Sequence, residues 1–223
     1  MSIYSITPFT LLDYPNTSAC IFWYAGCNMR CLYCYNPEIV LGKGLVTFPK
    51  AISFLQSRKG LLDAVVFSGG ECLIHKNSIE QIRAVKAMGF LVKVDTNGSR
   101  PDVLKQLVTE HLIDYVALDF KATKNRFQYI TQSDRFLSFE QSLQILQKSA
   151  IPFEIRTTFH SELISVEELH EMIAYLDTQH YSGNYYLQHF RNDVETLADL
   201  PPSIKIKTNQ IKTYPNINVV IRD

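Results

Sequence analysis

Six short apolar runs recur along the chain, at Ala19–Tyr24, Ala64–Phe67, Leu91–Val94, Tyr115–Leu118, Phe153–Thr157 and Tyr185–Leu187. They limit the possible folds more than any other feature. A continuous run rich in β-branched and aromatic residues marks a strand covered on both faces. Between the runs lie segments with helical spacing and recognisable ends. Thr47 is placed to cap a helix that carries Pro49 in its first turn and runs to about Arg58, with Gly60 just beyond. Ser78 is placed to cap Ile79–Met88, whose Ile79, Ile82 and Val85 share a face, and Gly89 sits where a left-handed C-terminal residue is wanted. Pro101 opens a helix over Val103–Glu110, Ser138 heads Phe139–Lys148, and Ser165 heads Val166–Asp177 with Glu168 completing a capping box. This alternation predicts parallel strands with helical crossovers, in an open doubly wound sheet or a partial or complete β/α barrel. Residues 3–16 read as an edge strand or loop, Asp193–Pro215 is polar and contains proline, and Val219–Ile221 could add a last short edge strand.

At 223 residues and 46% hydrophobic, the chain is long and apolar enough for a core. Twenty-two Lys and Arg balance 22 Asp and Glu, so no net field draws it to nucleic acid or to an anionic membrane. No apolar stretch approaches the ~20 residues that span a bilayer, and no leader pattern stands near Met1, so the sequence reads as cytoplasmic. Five cysteines with three bunched together make a poor disulfide framework and a better metal site in a reducing compartment.

Parallel architectures gather functional groups where strands run out into helices. Directly after the first run stands Gly26-Cys27-Asn28-Met29-Arg30-Cys31-Leu32-Tyr33-Cys34-Tyr35. Three thiolates this close can hold a metal, yet with no fourth cysteine nearby they leave one coordination position open. A zinc loop completed by a distant ligand such as His75 is one reading, although zinc knuckles usually pair their cysteines as two separated couples. A four-cysteine electron carrier completed by Cys72 is another. The spacing Cys27-x3-Cys31-x2-Cys34, with Tyr33 before the last cysteine, resembles the signature of the radical S-adenosylmethionine superfamily. That resemblance implies three cysteines ligating three irons of a [4Fe-4S] cluster, with Tyr33 beside the cofactors. The fourth iron would then bind the amino and carboxylate groups of S-adenosylmethionine.

Ser68-Gly69-Gly70-Glu71 ends the second run. Gly69 and Gly70 permit positive φ and close approach of backbone to ligand, and the Glu71 carboxylate can accept from an ammonium. Beside the cysteine triplet, the segment resembles the superfamily's motif for the methionine amino group. Cys72 stands where that family commonly has Pro, and reads as a small buried hydrophobe. Asp95-Thr96-Asn97-Gly98 ends the third run and Asp119-Phe120-Lys121 the fourth. Each alone could be a turn or a helix cap. Together they resemble glycyl-radical-enzyme activases, the pyruvate formate-lyase activating enzyme and its relatives. The resemblance implies that Asp95, Thr96 and Asp119, with Asn97 on the same loop, border the cosubstrate and could hold a monovalent cation beside its carboxylate. Lys121 would lie near the cosubstrate or an incoming peptide. A bare Asp pair would repel that carboxylate, so a cation or lysine has to offset it. Arg156, in the fifth run, needs an anion partner and reads either as a structural salt bridge or as a contact to the cosubstrate's carboxylate or ribose. His189 is read as stacking near the adenosine. His111, His160, His170 and His180 receive no role.

Leu12-Asp13-Tyr14-Pro15, the lead-in Ile21–Gly26, and Cys34-Tyr35-Asn36-Pro37-Glu38 narrow the resemblance to the activating proteins of anaerobic ribonucleoside-triphosphate reductase, over most of the chain to about Arg191. It implies one α/β domain over residues 1–223, a partial (β/α)6 barrel of parallel strands with a core of about 17–191 and a C-terminal extension, 192–223. The implied activity is reductive cleavage of S-adenosylmethionine to a 5′-deoxyadenosyl radical, which takes hydrogen from a glycine of a partner glycyl-radical enzyme. Flavodoxin or ferredoxin would be the electron donor. With no cysteine after Cys72 there is no room for auxiliary clusters, which favours a macromolecular substrate. The alternatives are an activase of the pyruvate formate-lyase type, a small-molecule radical enzyme of the deazapurine-synthesising type, and a non-catalytic iron-sulfur or zinc module.

Overall fold

In the computed structural model, which describes residues 1–222, the six apolar runs become six parallel strands in sequential order within one eight-stranded sheet. They are β2 (Ala19–Tyr24), β3 (Ala64–Gly69), β4 (Leu91–Thr96), β5 (Tyr115–Asp119), β6 (Phe153–Phe159) and β7 (Gly183–His189). The N-terminal edge strand β1 (Ile3–Thr10) pairs antiparallel with β2, and β8 (Ile217–Arg222) pairs parallel with β7. There is thus one parallel strand more than the expected six. Among the described residues no ladder joins β8 to β1, so the barrel stays open.

Seven helices cross between strands: α1 (Pro37–Leu41), α2 (Phe48–Gln56), α3 (Ser78–Ala87), α4 (Pro101–Thr109), α5 (Lys124–Thr131), α6 (Phe136–Gln147) and α7 (Val166–Thr178). Two predicted caps form. The Thr47 hydroxyl accepts from the Lys50 N–H, and Ser165 and Glu168 make a reciprocal capping box. Two do not. Ser78 is the first residue of α3 rather than its cap, and α6 starts two residues before Ser138. Packing accompanies that earlier start, with the Phe136 ring 5.5 Å from Phe127 and 5.7 Å from Tyr175. Helix α5 was not foreseen, since only Phe127, Ile130 and Thr131 of its eight residues are buried.

Period-two alternation sorts the strand side chains between two environments. Phe22, Tyr24, Val65, Phe67, Val92, Val94, Val116 and Leu118 join the helices in the main core. Their neighbours Ala19, Ile21, Ala64 and Val66, with Trp23 and Tyr115, form a second small core that Tyr14 closes. Further along the strands that second face turns polar, at Ser68, Lys93, Asp95, Asp119 and Arg156. An apolar floor therefore supports a charged wall.

Candidate active site

The loop after β2 is held by its backbone. Gly26 N–H donates to the Ile39 carbonyl (2.9 Å), Arg30 and Leu32 N–H donate to the carbonyls of Thr131 and Ile130 (both 2.9 Å), and Cys34 N–H turns back to Cys31 (3.0 Å). From the far end of the chain, Leu197 and Ala198 N–H reach the carbonyls of Cys34 and Leu32 (3.0 and 3.2 Å). The Arg30 guanidinium donates to the Cys27 and Met29 carbonyls (2.7 and 2.8 Å). With its polar backbone so engaged, the loop presents Cys27, Cys31 and Cys34 to one cavity of about 240 Å³.

Burial, reinforced by the nearby Glu71, pushes the Cys27 thiol up to about 11, and burial pushes Cys31 to about 12. These thiols stay protonated until a cation draws off their protons, which is how metal ligation couples to ionisation. Among the described residues no three His, Cys, Asp or Glu side chains converge on one point as ligands of a single ion would. Three thiols with no histidine or fourth cysteine among the residues that line the cavity suit a cuboidal cluster, in which each thiolate takes its own iron, better than a tetrahedral zinc. The donor set fits a [4Fe-4S] cluster with one iron left to the cavity.

Strand β3 ends on Ser68-Gly69-Gly70. Gly69 has φ +119°, and a Cβ there would stand 2.3 Å from the Tyr24 nitrogen; on Gly70 it would stand 2.1 Å from the Gly26 carbonyl oxygen and 3.1 Å from Cys27 Cβ. Without side chains, the turn lies directly on the cysteine loop. Gly70 N–H donates to Tyr24 O (2.9 Å) and Glu71 N–H to Gly26 O (3.0 Å).

Glu71 is 1% exposed and is not among the residues that line the cavity. Its carboxylate accepts from Leu73 N–H (3.1 Å), the Thr96 hydroxyl (2.9 Å) and Asn97 N–H (2.7 Å), so the oxygens expected to receive an ammonium are engaged by the chain itself. Burial raises its pKa to about 7 against these donors. The carboxylate braces the end of β3 to the end of β4. Asn97, fixed by it, sends its amide to Asn28 Oδ1 (3.1 Å) and lies 3.8 Å from Cys27 Sγ. Gly69, Gly70, Thr96 and Asn97 line the cavity.

The same cavity is lined by the charged wall. Arg156, in register with Asp119 on the adjacent strand, donates to Asp119 Oδ1 through Nε (3.1 Å) and Nη2 (2.9 Å) and to Asp95 Oδ2 through Nη1 (3.4 Å). Lys121 pairs with Asp119 Oδ2 (3.2 Å), Lys93 with Asp95 Oδ1 (3.0 Å), and the Ser68 hydroxyl donates to Asp95 Oδ2 (3.1 Å). Burial works to raise both aspartates. Arg156 with Lys93 outweighs it at Asp95, and Lys121 with Arg156 at Asp119, so both are held below the usual carboxylate range. At Lys121 burial works to lower the pKa, and Asp119 together with Tyr33, Cys31 and Cys27 outweighs it and keeps the ammonium charged. The partner demanded of Arg156 is thus an aspartate pair, and the cation required to offset that pair comes from the chain.

Tyr33 lines the cavity, whereas His189 sets Nε2 3.2 Å from the Ile206 carbonyl in the C-terminal extension, and its neighbour Gln188 reaches the wall. Cys72 is buried, with Sγ 3.6 Å from Phe67 O and 3.5 Å from Asp95 O, and burial pushes its thiol well up. Thr158 and Gln188 also line the cavity, as do Asp13, Trp23, Tyr35 and Asn36, which the sequence offers only as marks of resemblance and not as site residues. Strand periodicity was the available signal for two of the missed residues. Lys93 lies two before Asp95 and Thr158 two after Arg156, so each shares a face with a residue already suspected.

A family model described as the Radical SAM superfamily matches residues 21–176. The chain is 31% identical over 180 residues to a Methanocaldococcus jannaschii protein described as a glycyl-radical enzyme activating enzyme, covering 75% of this chain and 72% of that one. It is 31% identical over 130 residues to the pyruvate formate-lyase-activating enzyme of Clostridium pasteurianum, covering 53% and 52%. Among solved structures, Streptococcus suis SuiB bound to S-adenosylmethionine has a TM-score of 0.60 at 13% identity over 91% of this chain. This chain spans about half of SuiB (49%), and the likeness is one of fold.

Proposed function

The chain belongs to the radical S-adenosylmethionine superfamily, and on that footing we propose that it activates a glycyl-radical enzyme, the anaerobic ribonucleoside-triphosphate reductase. Membership makes a [4Fe-4S] cluster and S-adenosylmethionine its cofactors. When bound, they supply one-electron cleavage of the sulfonium to methionine and a 5′-deoxyadenosyl radical, which takes hydrogen from a glycine of the partner. The chain's part is to hold and orient.

Cys27, Cys31 and Cys34 anchor three irons. Gly69 and Gly70 admit the cosubstrate's amino end close to the backbone, and Asn97, fixed by Glu71, borders it. Arg156 and Lys121 offer their charge to the carboxylate while Asp95 and Asp119 hold them in place. The unpaired sheet ends, β1 and β8, leave an open side through which a glycine-bearing loop enters. A flavodoxin or ferredoxin supplies the electron, and the setting is the reducing cytoplasm. No helix among the described residues is long and apolar enough to cross a membrane.

The observation that carries this reading is that the three thiols and the Asp95–Arg156–Asp119–Lys121 wall line the same cavity. The test is anaerobic. Mixed with dithionite, S-adenosylmethionine and the reductase, the protein is expected to give a glycyl-radical doublet in electron paramagnetic resonance. A doublet on pyruvate formate-lyase alone would move the assignment to that partner. Cosubstrate cleavage with no radical on any glycyl-radical enzyme would sink the proposal in favour of a small-molecule substrate.

A further inference from the structure

A lysine inside a strand, flanked by buried valines and 3% exposed, has to be paired or neutral. Lys93 is paired by an unusual set of groups. Its ammonium lies 2.6 Å from the Asp13 carbonyl oxygen, 3.0 Å from Asp95 Oδ1 and 5.9 Å from the centre of the Tyr115 ring. At 3.0 Å the ammonium and Oδ1 form a close ion pair. One carbonyl, one carboxylate and one aromatic face thus surround the ammonium, each a kind of group that attracts a cation. The Thr96 hydroxyl, next to Asp95, is committed to Glu71 and to Gly98 N–H.

We propose that Lys93 is the resident cation of this wall, so that S-adenosylmethionine binds without sodium or potassium. Every carboxylate oxygen of the pair already faces an internal cation. Around Asp95 and Asp119 stand three such groups, Lys93, Lys121 and Arg156, against two carboxylates. Nearby Glu154 is matched by Arg222 through two contacts of 3.2 Å, and the Asp13 carboxylate accepts from the Thr10 hydroxyl (2.6 Å). Asp13, which also lines the cavity, brings a third carboxylate, so the three internal cations balance the wall without a metal ion. A metal ion entering here would strand a tethered ammonium in a nearly sealed site, which is costly.

The inference rests on S-adenosylmethionine being the ligand of this cavity. Its affinity for the cluster-loaded protein is to be measured by anaerobic calorimetry in tetramethylammonium chloride and in potassium chloride. Wild type is expected to bind equally in both, within about twofold, the energetic weight of a weak surface contact. Lys93→Met should lose roughly tenfold or more in tetramethylammonium, the weight of a charged hydrogen-bonded contact, and regain it with potassium or methylammonium. Lys93→Arg should remain independent of the salt. Thallium NMR, reading potassium sites directly, should show bound ion in the Met variant and none in wild type. Iron content and circular dichroism check the variants; if Lys93→Met does not fold, wild type and Lys93→Arg still decide. Potassium-dependent binding by wild type, or a Lys93→Met loss that no cation restores, overturns the inference alone. A wild type that binds no S-adenosylmethionine in any salt overturns the cosubstrate assignment and the inference with it.

Discussion

Glu71 and the pair Asp95 and Asp119 lie on adjacent strand ends around one cavity, and all are largely withdrawn from water, yet their carboxylates are satisfied by different chemistry. Glu71 accepts from two backbone N–H groups and one hydroxyl, with no cation among its hydrogen-bond partners, and its pKa rises to about 7. The aspartates meet Lys93, Arg156 and Lys121 and are held low. Neutral donors give direction without charge, which suits a brace between two strand ends. Cations give charge that an arriving ligand can share, which suits a binding wall. The same residue class thus divides into framework and site according to what surrounds it.

The largest effect on the charged side should come from removing the charge that both aspartates share. Arg156→Met leaves two partly buried carboxylates with only the lysines, and is expected to cost about 2 kcal/mol, between the range of exposed pairs and that of fully buried ones. Urea unfolding of the cluster-free chain measures it. Asp119→Asn in the Arg156→Met background should recover part of the loss by removing one of the stranded charges. A loss under about 1 kcal/mol, the range of exposed pairs, would mean that water reaches the wall and that the contrast with Glu71 is one of solvation.

How far the sequence reveals this contrast follows from what each feature depends on. The six apolar runs foretell β2–β7 because a strand buried on both faces can be read locally. The cysteine triplet and Gly69-Gly70 are legible for a similar reason, since spacing and the lack of a side chain are properties of the chain itself. The environment of Glu71 is not local. A carboxylate after two glycines suggests a ligand contact, and only the docking of Asn97 and Thr96 from another strand turns it into a brace. Lys93 was passed over because it interrupts an otherwise apolar run, where it reads as an imperfection; its partners come from residue 95 on its own strand and from the turn at Asp13. The placement of His189 against Ile206 likewise depends on an irregular extension whose path no periodicity predicts.

A second test separates the two environments by pH. With its folded pKa raised from 4.5 to about 7, Glu71 binds a proton more readily in the folded chain than in the unfolded one. That preference stabilises the fold fully below about pH 4.5 and is lost as pH rises to about 7, with no further change above. Glu71→Gln removes the titration and adds a constant offset, because its amide nitrogen cannot accept. Wild-type stability relative to Glu71→Gln should therefore fall by about 3 kcal/mol over that range, measured by urea titration at several pH values. The aspartates, held low, run the other way, contributing stability above the ordinary carboxylate range that is lost on acidification. A wild-type curve parallel to that of Glu71→Gln would mean that the three donors hold the carboxylate ionised, and the distinction between brace and wall would lose its electrostatic basis.

The smallest effect probes the one neutral donor on the charged side. Ser68→Ala removes a hydroxyl from Asp95 Oδ2, but the carboxylate keeps Arg156 on that oxygen and Lys93 on the other. No charge is stranded, so the change should cost about 0.5–1 kcal/mol, the net worth of one hydrogen bond. Thr96→Val removes an equivalent hydroxyl from Glu71, where no cation stands in its place and Gly98 N–H loses its acceptor as well. It should cost about 1–3 kcal/mol, the penalty for leaving buried polar groups unsatisfied. The contrast requires Thr96→Val to exceed Ser68→Ala in the same urea titration. Equal losses would mean that a hydroxyl is worth the same beside a paired carboxylate as beside an unpaired one, and that the cations around Asp95 do not buffer it.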